Sequence, residues 1–234
     1  MQSILTAIDD PHASDIAEIW GELKAVFGLT TLTGGLRPHL SFAVAEHYDP
    51  AVEQALASIA ARGAPFRLET HGIGLTEGPP TAASPSRTDR SLDLSQPQTT
   101  AETRTDRPLD LSPTPAATTA GQSPHGAPQH TLIYLHVTRT GILDDVHHVI
   151  HHATQPLAHN PRLAYADATW LPHIAVATAP IAPGQLPAIL DFLRRRDYAW
   201  HIPATNLCLN PSTQSPTTEW LRFDLKGAPT TAAS

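Results

Sequence analysis

The sequence is poor in cysteine, in aromatic residues and in charge. Cys208 is the single cysteine among 234 residues, which excludes an internal disulfide and any metal site built from several thiolates. A free cysteine usually behaves as a small buried apolar residue, and the run Asn206 to Leu209 reads as a strand that would bury it. Charged residues make up 16% of the chain, and 15 Lys and Arg against 22 Asp and Glu leave a net charge of −7. A long nucleic-acid footprint needs a basic face to neutralise several phosphates, so duplex DNA is not an expected partner, whereas a small or terminal substrate is. No segment reaches the ~20 apolar residues that cross a bilayer, and Met1 to Leu5 shows no basic region leading into an apolar run. The expectation is a cytoplasmic protein without a membrane partner.

The apolar content, 41%, is held down by the middle of the chain. Residues 78–129 contain no aromatic side chain and nine of the 23 prolines, among many Thr, Ser and Ala. Such a segment cannot bury enough apolar surface to offset its ordering entropy, so it reads as a disordered insert. The tail 227–234 has the same character. What remains, 1–77 and 130–226, is long enough for a bilobed domain with a real core. Inside the insert, Arg87 to Ser95 recurs seventeen residues later as Arg104 to Ser112. This reads as a duplicated linker, the alternative being short motifs that dock a protein partner.

The two remaining segments repeat each other around a histidine. At a constant offset of 134, His39 aligns with His173, Leu40 with Ile174, Phe42 with Val176, Leu56 with Leu190, Leu68 with Ile202 and Leu75 with Leu209. Strands are expected at Ile4–Ile8, Leu40–Ala45, Phe66–Thr70, Ile73–Leu75, Thr131–Thr138, Ile174–Ala177, His201–Leu209 and Trp220–Leu225. Helices are expected at Ser14–Val26, Pro50–Arg62, Ile142–Ala153 and Leu186–Arg196. Each half thus runs strand, helix, histidine strand, helix, strand, strand. The fold class is α+β, with two pseudo-symmetric lobes of antiparallel-rich sheet around a central cleft.

Strand alternation places His39 and Ser41 on one face and Leu40 and Phe42 on the other, with His173 and Ala175 opposed to Ile174 and Val176 in the same way. Two imidazoles across one cleft can serve as general base and general acid in one reaction. The motifs Pro38-His39-Leu40-Ser41-Phe42 and Pro172-His173-Ile174-Ala175-Val176 resemble those of the two-histidine (2H) phosphoesterase superfamily, in particular its 2′-5′ RNA ligase-like and cyclic phosphodiesterase members. The resemblance covers both halves. It implies two α+β lobes, metal-free and cofactor-free catalysis by His39 and His173, phosphate binding by Ser41, and a 2′,3′-cyclic phosphate or 2′-5′ linked ribonucleotide end as substrate. It departs from the family pattern at Ala175, where a hydroxyl is expected. Thr178 is an odd number of residues from His173 and on the opposite face. A non-catalytic relative that binds a nucleotide or RNA end is the alternative that Ala175 raises.

Other residues compete for attention. His136-Val137-Thr138 has the same pattern, but its counterpart at the repeat offset is Gln2, so it reads as a strand residue near an edge or cleft wall. The helix around His147, His148, His151 and His152 presents two histidine pairs four apart, with Asp144 or Asp145 near, yet lacks the glutamate of a His-Glu-x-x-His zinc helix. It reads as a solvated helix, and no metal is assigned. Arg37, Arg139 and Arg162 are candidates for phosphate or ordinary surface charges. Trp170 either stacks a base at the cleft rim or packs in the core.

Overall fold

A computed structural model of the chain describes residues 1–29, 36–77, 129–182, 184–211 and 219–228. Apart from Gln129, the 78–129 insert lies outside the described residues, as does the tail from 229 onward. The elements run β1 (Gln2–Ala7), α1 (His12–Phe27), β2 (His39–Ala45), β3 (His47–Tyr48), α2 (Ala51–Arg62), β4 (Phe66–Glu77), β5 (Gln129–Val137), α3 (Gly141–Thr154), β6 (Ala158–His159), β7 (His173–Ile181), α4 (Leu186–Leu193), β8 (His201–Ala204), β9 (Asn206–Asn210) and β10 (Leu221–Asp224). The fold is α+β, with four α-helices among the described residues. None of them is long and apolar enough to cross a membrane.

The principal sheet has the order β10-β9-β1-β2-β7-β5-β4-β8, antiparallel at every step. Its centre is narrow. The histidine strands β2 and β7 share one backbone pair, Leu40 with Ile174, so the sheet is two four-stranded halves hinged at that point. Leu40 and Ile174 are equivalent in the sequence repeat. So are Leu68 and Ile202, which pair where β4 meets β8. Equivalent residues facing each other in antiparallel strands mark a pseudo-twofold axis, and both pairs lie on it.

The sheets do not follow the division of the chain. One combines β1 and β2 with β9 and β10, the other β4 with β5, β7 and β8. The chain changes sheet at Thr205, which splits the run expected as one strand over His201–Leu209 into β8 and β9. Conversely, the two strands expected over Phe66–Leu75 form one, with a bulge between Thr70 and Ile73. Gly72 accommodates it at φ +66°.

The helices pack beneath the sheet against one continuous core. Ile16, Ile19, Trp20 and Leu23 form the buried stripe of α1, at the i, i+3, i+4, i+7 spacing of one helix face. Gly28 ends α1 at φ +72°, its N–H bonded to the Lys24 carbonyl and that of Leu29 to the Leu23 carbonyl. The Thr140 hydroxyl caps α3 by accepting from the Leu143 N–H. Helix α4 stops at Leu193, three residues before its expected end. The Tyr198 hydroxyl donates to the Leu193 carbonyl at 3.0 Å, and Arg196 turns away to pair with Glu22.

Candidate active site

Each histidine stands on a strand held from behind by matching contacts. The carbonyl of Pro38 accepts from Ile8 N–H at the end of β1, and the carbonyl of Pro172 accepts from Val137 N–H at the end of β5, at 2.9 and 3.3 Å. His39 Nδ1–H donates to the Arg37 carbonyl at 2.8 Å, and His173 Nδ1–H donates to the Leu171 carbonyl at 2.7 Å. Because a carbonyl only accepts, Nδ1 carries the proton in both rings. The neutral rings therefore share one tautomer, and neither Nε2 makes a hydrogen bond among the described residues.

Register brings the motif positions together. With Leu40 paired to Ile174, antiparallel geometry sets His39 beside Ala175 and Ser41 beside His173, all four on the face opposite the core. Two strand residues along and one strand across separate the histidine Cα atoms by about 8 Å, room for a phosphate between the rings. The Ser41 hydroxyl is half-buried and makes no hydrogen bond among the described residues. Position 175 is likewise half-buried but offers a methyl group.

Two tryptophans fix the backbone at these positions. Trp20 of α1 donates its indole N–H to the Ala175 carbonyl at 3.2 Å, and Trp170 donates to the Ser41 carbonyl at 2.9 Å. Beside a single-pair ladder, backbone carbonyls need donors from elsewhere, and the indoles supply them symmetrically. Trp170 is 2% exposed, stacked on His147 at 3.9 Å and packed near Phe42. It is a core residue that positions the motif, not a base platform at the rim. Trp20 has no distinguishing sequence signal beyond its place on a buried helix stripe.

The two sides of the face differ chemically. Next to His39 lie Leu5, Ala7 and Cys208, against which Trp220 packs, presenting its ring edge-on to His39 at 5.4 Å. The Cys208 thiol is buried and pushed up to about 11 by desolvation, which makes it an inert core group. Next to His173 lie Tyr134, edge-on at 5.3 Å, and His136, directly across in register. His71 in the β4 bulge packs on His136 at 4.6 Å and hydrogen-bonds the Thr138 hydroxyl through Nδ1 at 3.0 Å. Three imidazoles thus line one side. His136 is the wall residue its sequence suggested, whereas His71 sat unremarked between two expected strands. Gly74 is needed here, since a Cβ would lie 2.3 Å from the Tyr134 ring.

Burial pulls the pKa of His39 and of His173 below the ordinary imidazole value, and for His39 the charge of His173 adds to the effect. Burial, with His71 alongside, does the same to His136. Of the three candidate arginines, Arg139 is committed to Asp144 and to the carbonyls of Asp167 and Trp170. Arg162 reaches the Met1 sulfur. Arg37 is exposed and makes no ion pair among the described residues. Arg222, which sequence reasoning passed over, grips Asp9 through both terminal nitrogens at 2.8 and 3.0 Å, and this contact holds the Asp9 carboxyl below the usual range. A separate apolar cavity of about 280 Å³, lined by Ile59, Phe66, Val146, Val149, Leu207 and Leu225 among others, is formed by other elements and contains neither histidine.

In fold, the chain is similar to the crystal structure of TT0787 of Thermus thermophilus, with a TM-score of 0.51 over 97% of this chain and 98% of that one, at 12% sequence identity. No protein-family model matches the chain, and no curated protein is similar to it in sequence.

Proposed function

We propose that the paired strands carry a metal-independent phosphoesterase of the two-histidine type, acting on a 2′,3′-cyclic phosphate or a 2′-5′ linked ribonucleotide end. The observation that carries this reading is the pair of half-buried imidazoles, His39 and His173, in one tautomer on adjoining strands, with their Nε2 atoms uncommitted among the described residues. In hydrolysis, the neutral ring accepts a proton from water through Nε2 as the water oxygen bonds to phosphorus in line. The bond from phosphorus to the departing ribose oxygen breaks, and the protonated ring gives that oxygen its proton. The rings exchange protonation states, and solvent resets them. Their roles follow the orientation of the bound substrate and swap in the reverse reaction. Each proton transfer contributes about 10²–10⁴-fold. The Ser41 hydroxyl donates to a non-bridging oxygen, and the bound phosphate charge favours protonation of one ring.

Ala175 supports a second reading, a protein that holds a nucleotide or RNA end in the same place with little or no turnover. The experiment is hydrolysis of 2′,3′-cyclic nucleotides and short 2′-5′ linked oligonucleotides in the presence of chelator, comparing wild type with His39→Ala and His173→Ala. Turnover by the wild type, abolished by either substitution, is the expected result. A folded wild type inert on the whole panel, yet stabilised against unfolding by one of its members, would favour the binding reading.

A further inference from the structure

Helix α3 carries four histidines, and the structure supplies the carboxylate that the sequence around them lacks. Asp167 comes from the turn that follows Leu163–Tyr165 and lies over the helix. Its Oδ2 is 3.0 Å from His148 Nδ1, and its Oδ1 is 3.2 Å from His147 Nδ1 and 3.7 Å from His151 Nδ1. His148 and His152, one helical turn apart, have ring centroids 4.2 Å from each other. One ligating atom from each of His148, His152 and Asp167 falls within 4.8 Å of the other two. Ligands in a tetrahedral zinc site stand about 3.3 Å apart, given metal–ligand bonds of about 2.0–2.2 Å. His148 and Asp167 are already that close, and His152, exposed on the helix, needs a swing of about 1.5 Å to join them.

The other carboxylate oxygen faces the inner side of the helix. His147 Nε2 faces the Phe42 and Tyr165 carbonyls at 3.2 and 3.1 Å, so its proton sits there and its bare Nδ1 confronts Asp167 Oδ1. That oxygen is buried without a hydrogen bond, as is Nδ1 of His151. The Asp167 side chain, 41% exposed, thus leaves Oδ1 without a donor, while Oδ2 bonds His148 and opens toward the exposed His152. Its position does not depend on them, because Arg139 ties the Asp167 and Trp170 carbonyls.

We propose that His148, His152 and Asp167 bind one divalent transition ion of the zinc class, with water completing the coordination. Two imidazoles and one carboxylate suit zinc, nickel or copper and not magnesium or calcium, which favour oxygen donors. The ion is structural. Helix α3 packs on the core side of the sheet, and His39 and His173 stand on the other. The metal clips the segment carrying Trp170, and so the entry to β7, onto α3.

The test uses the full chain without a histidine tag, stripped with chelator and titrated with zinc chloride by calorimetry and by thermal unfolding. One equivalent should bind and raise the melting temperature, and magnesium at the same concentration should do neither. Asp167→Asn and His152→Ala should each weaken binding more than tenfold with unchanged far-ultraviolet circular dichroism. His159→Ala, at another exposed histidine, should leave binding within twofold. Several weak equivalents insensitive to Asp167→Asn would overturn the site as adventitious histidine binding, and absence of binding at 0.1 mM zinc (roughly 5 kcal/mol of affinity) would overturn it outright. Neither readout depends on phosphoesterase activity.

Discussion

Trp170 donates its indole N–H to the carbonyl of Ser41 at 2.9 Å, so a core side chain sets the backbone from which the Ser41 hydroxyl projects. Trp20 does the same for Ala175 from the other half of the chain. Replacing either by Phe keeps most of the packing and removes one donor. A carbonyl left without a partner costs about 1–3 kcal/mol, and urea unfolding should show that loss for both variants. Trp170→Phe should also lower kcat/KM, because the Ser41 strand loses its anchor.

Ala175 stands where the pseudo-twofold axis calls for a hydroxyl. Ala175→Ser should place a second donor beside His39 and raise kcat on a cyclic phosphate substrate by up to about 10²-fold, since a fully preorganised donor to developing charge contributes about 2.7–4 kcal/mol. The same substitution in a protein that only binds should tighten the ligand without creating turnover, and steady-state kinetics beside equilibrium binding separates the two.

A reaction that needs one neutral and one protonated imidazole has a bell-shaped pH dependence centred between their two pKa values. Both His39 and His173 are displaced downward by burial. The maximum of kcat/KM for the free enzyme should therefore lie below about pH 6.5, the ordinary histidine value. A maximum above pH 7 would contradict the assignment of these two groups.

His147 links stability to acid. It is 1% exposed, and burial is the chief cause of its lowered pKa. Below about pH 6.5 the unfolded chain takes up a proton that the folded ring resists, so the stability it contributes is present above that pH and is lost as pH falls through the lower folded value. His39, His136 and His173 act in the same direction. His147→Leu should cost about 1–3 kcal/mol at pH 7.5, because the Phe42 and Tyr165 carbonyls lose their donor. The gap between variant and wild type should narrow at pH 5, as measured by urea unfolding at both values.

The helices and the histidine strands were legible because their signals are local. Ile16, Ile19, Trp20 and Leu23 spell a helix face, and His39 and His173 open strands at equivalent places in a repeat. What escaped was non-local. Nothing near Thr205 announces that the chain leaves one sheet for the other, and the short pair β3 and β6 joins His47 to His159 across more than a hundred residues. In the site, alternation along β2 and β7 put His39, Ser41 and His173 on one face. It could not show that Trp20 reaches Ala175, or that Asp167 rather than Asp144 or Asp145 meets the histidines of α3. Those contacts join elements whose proximity exists only once the sheet has formed.

The exchange of strands between the two halves also sets an order in time. Ser3 pairs with Asn210, and Leu5 with Cys208, so on a ribosome β1 emerges some two hundred residues before its outer neighbour exists. Until then one edge of the first sheet is an open template for other chains. Assembly governed by such distant partners is slow, and the His39 side of the face is complete only when β9 and β10 arrive.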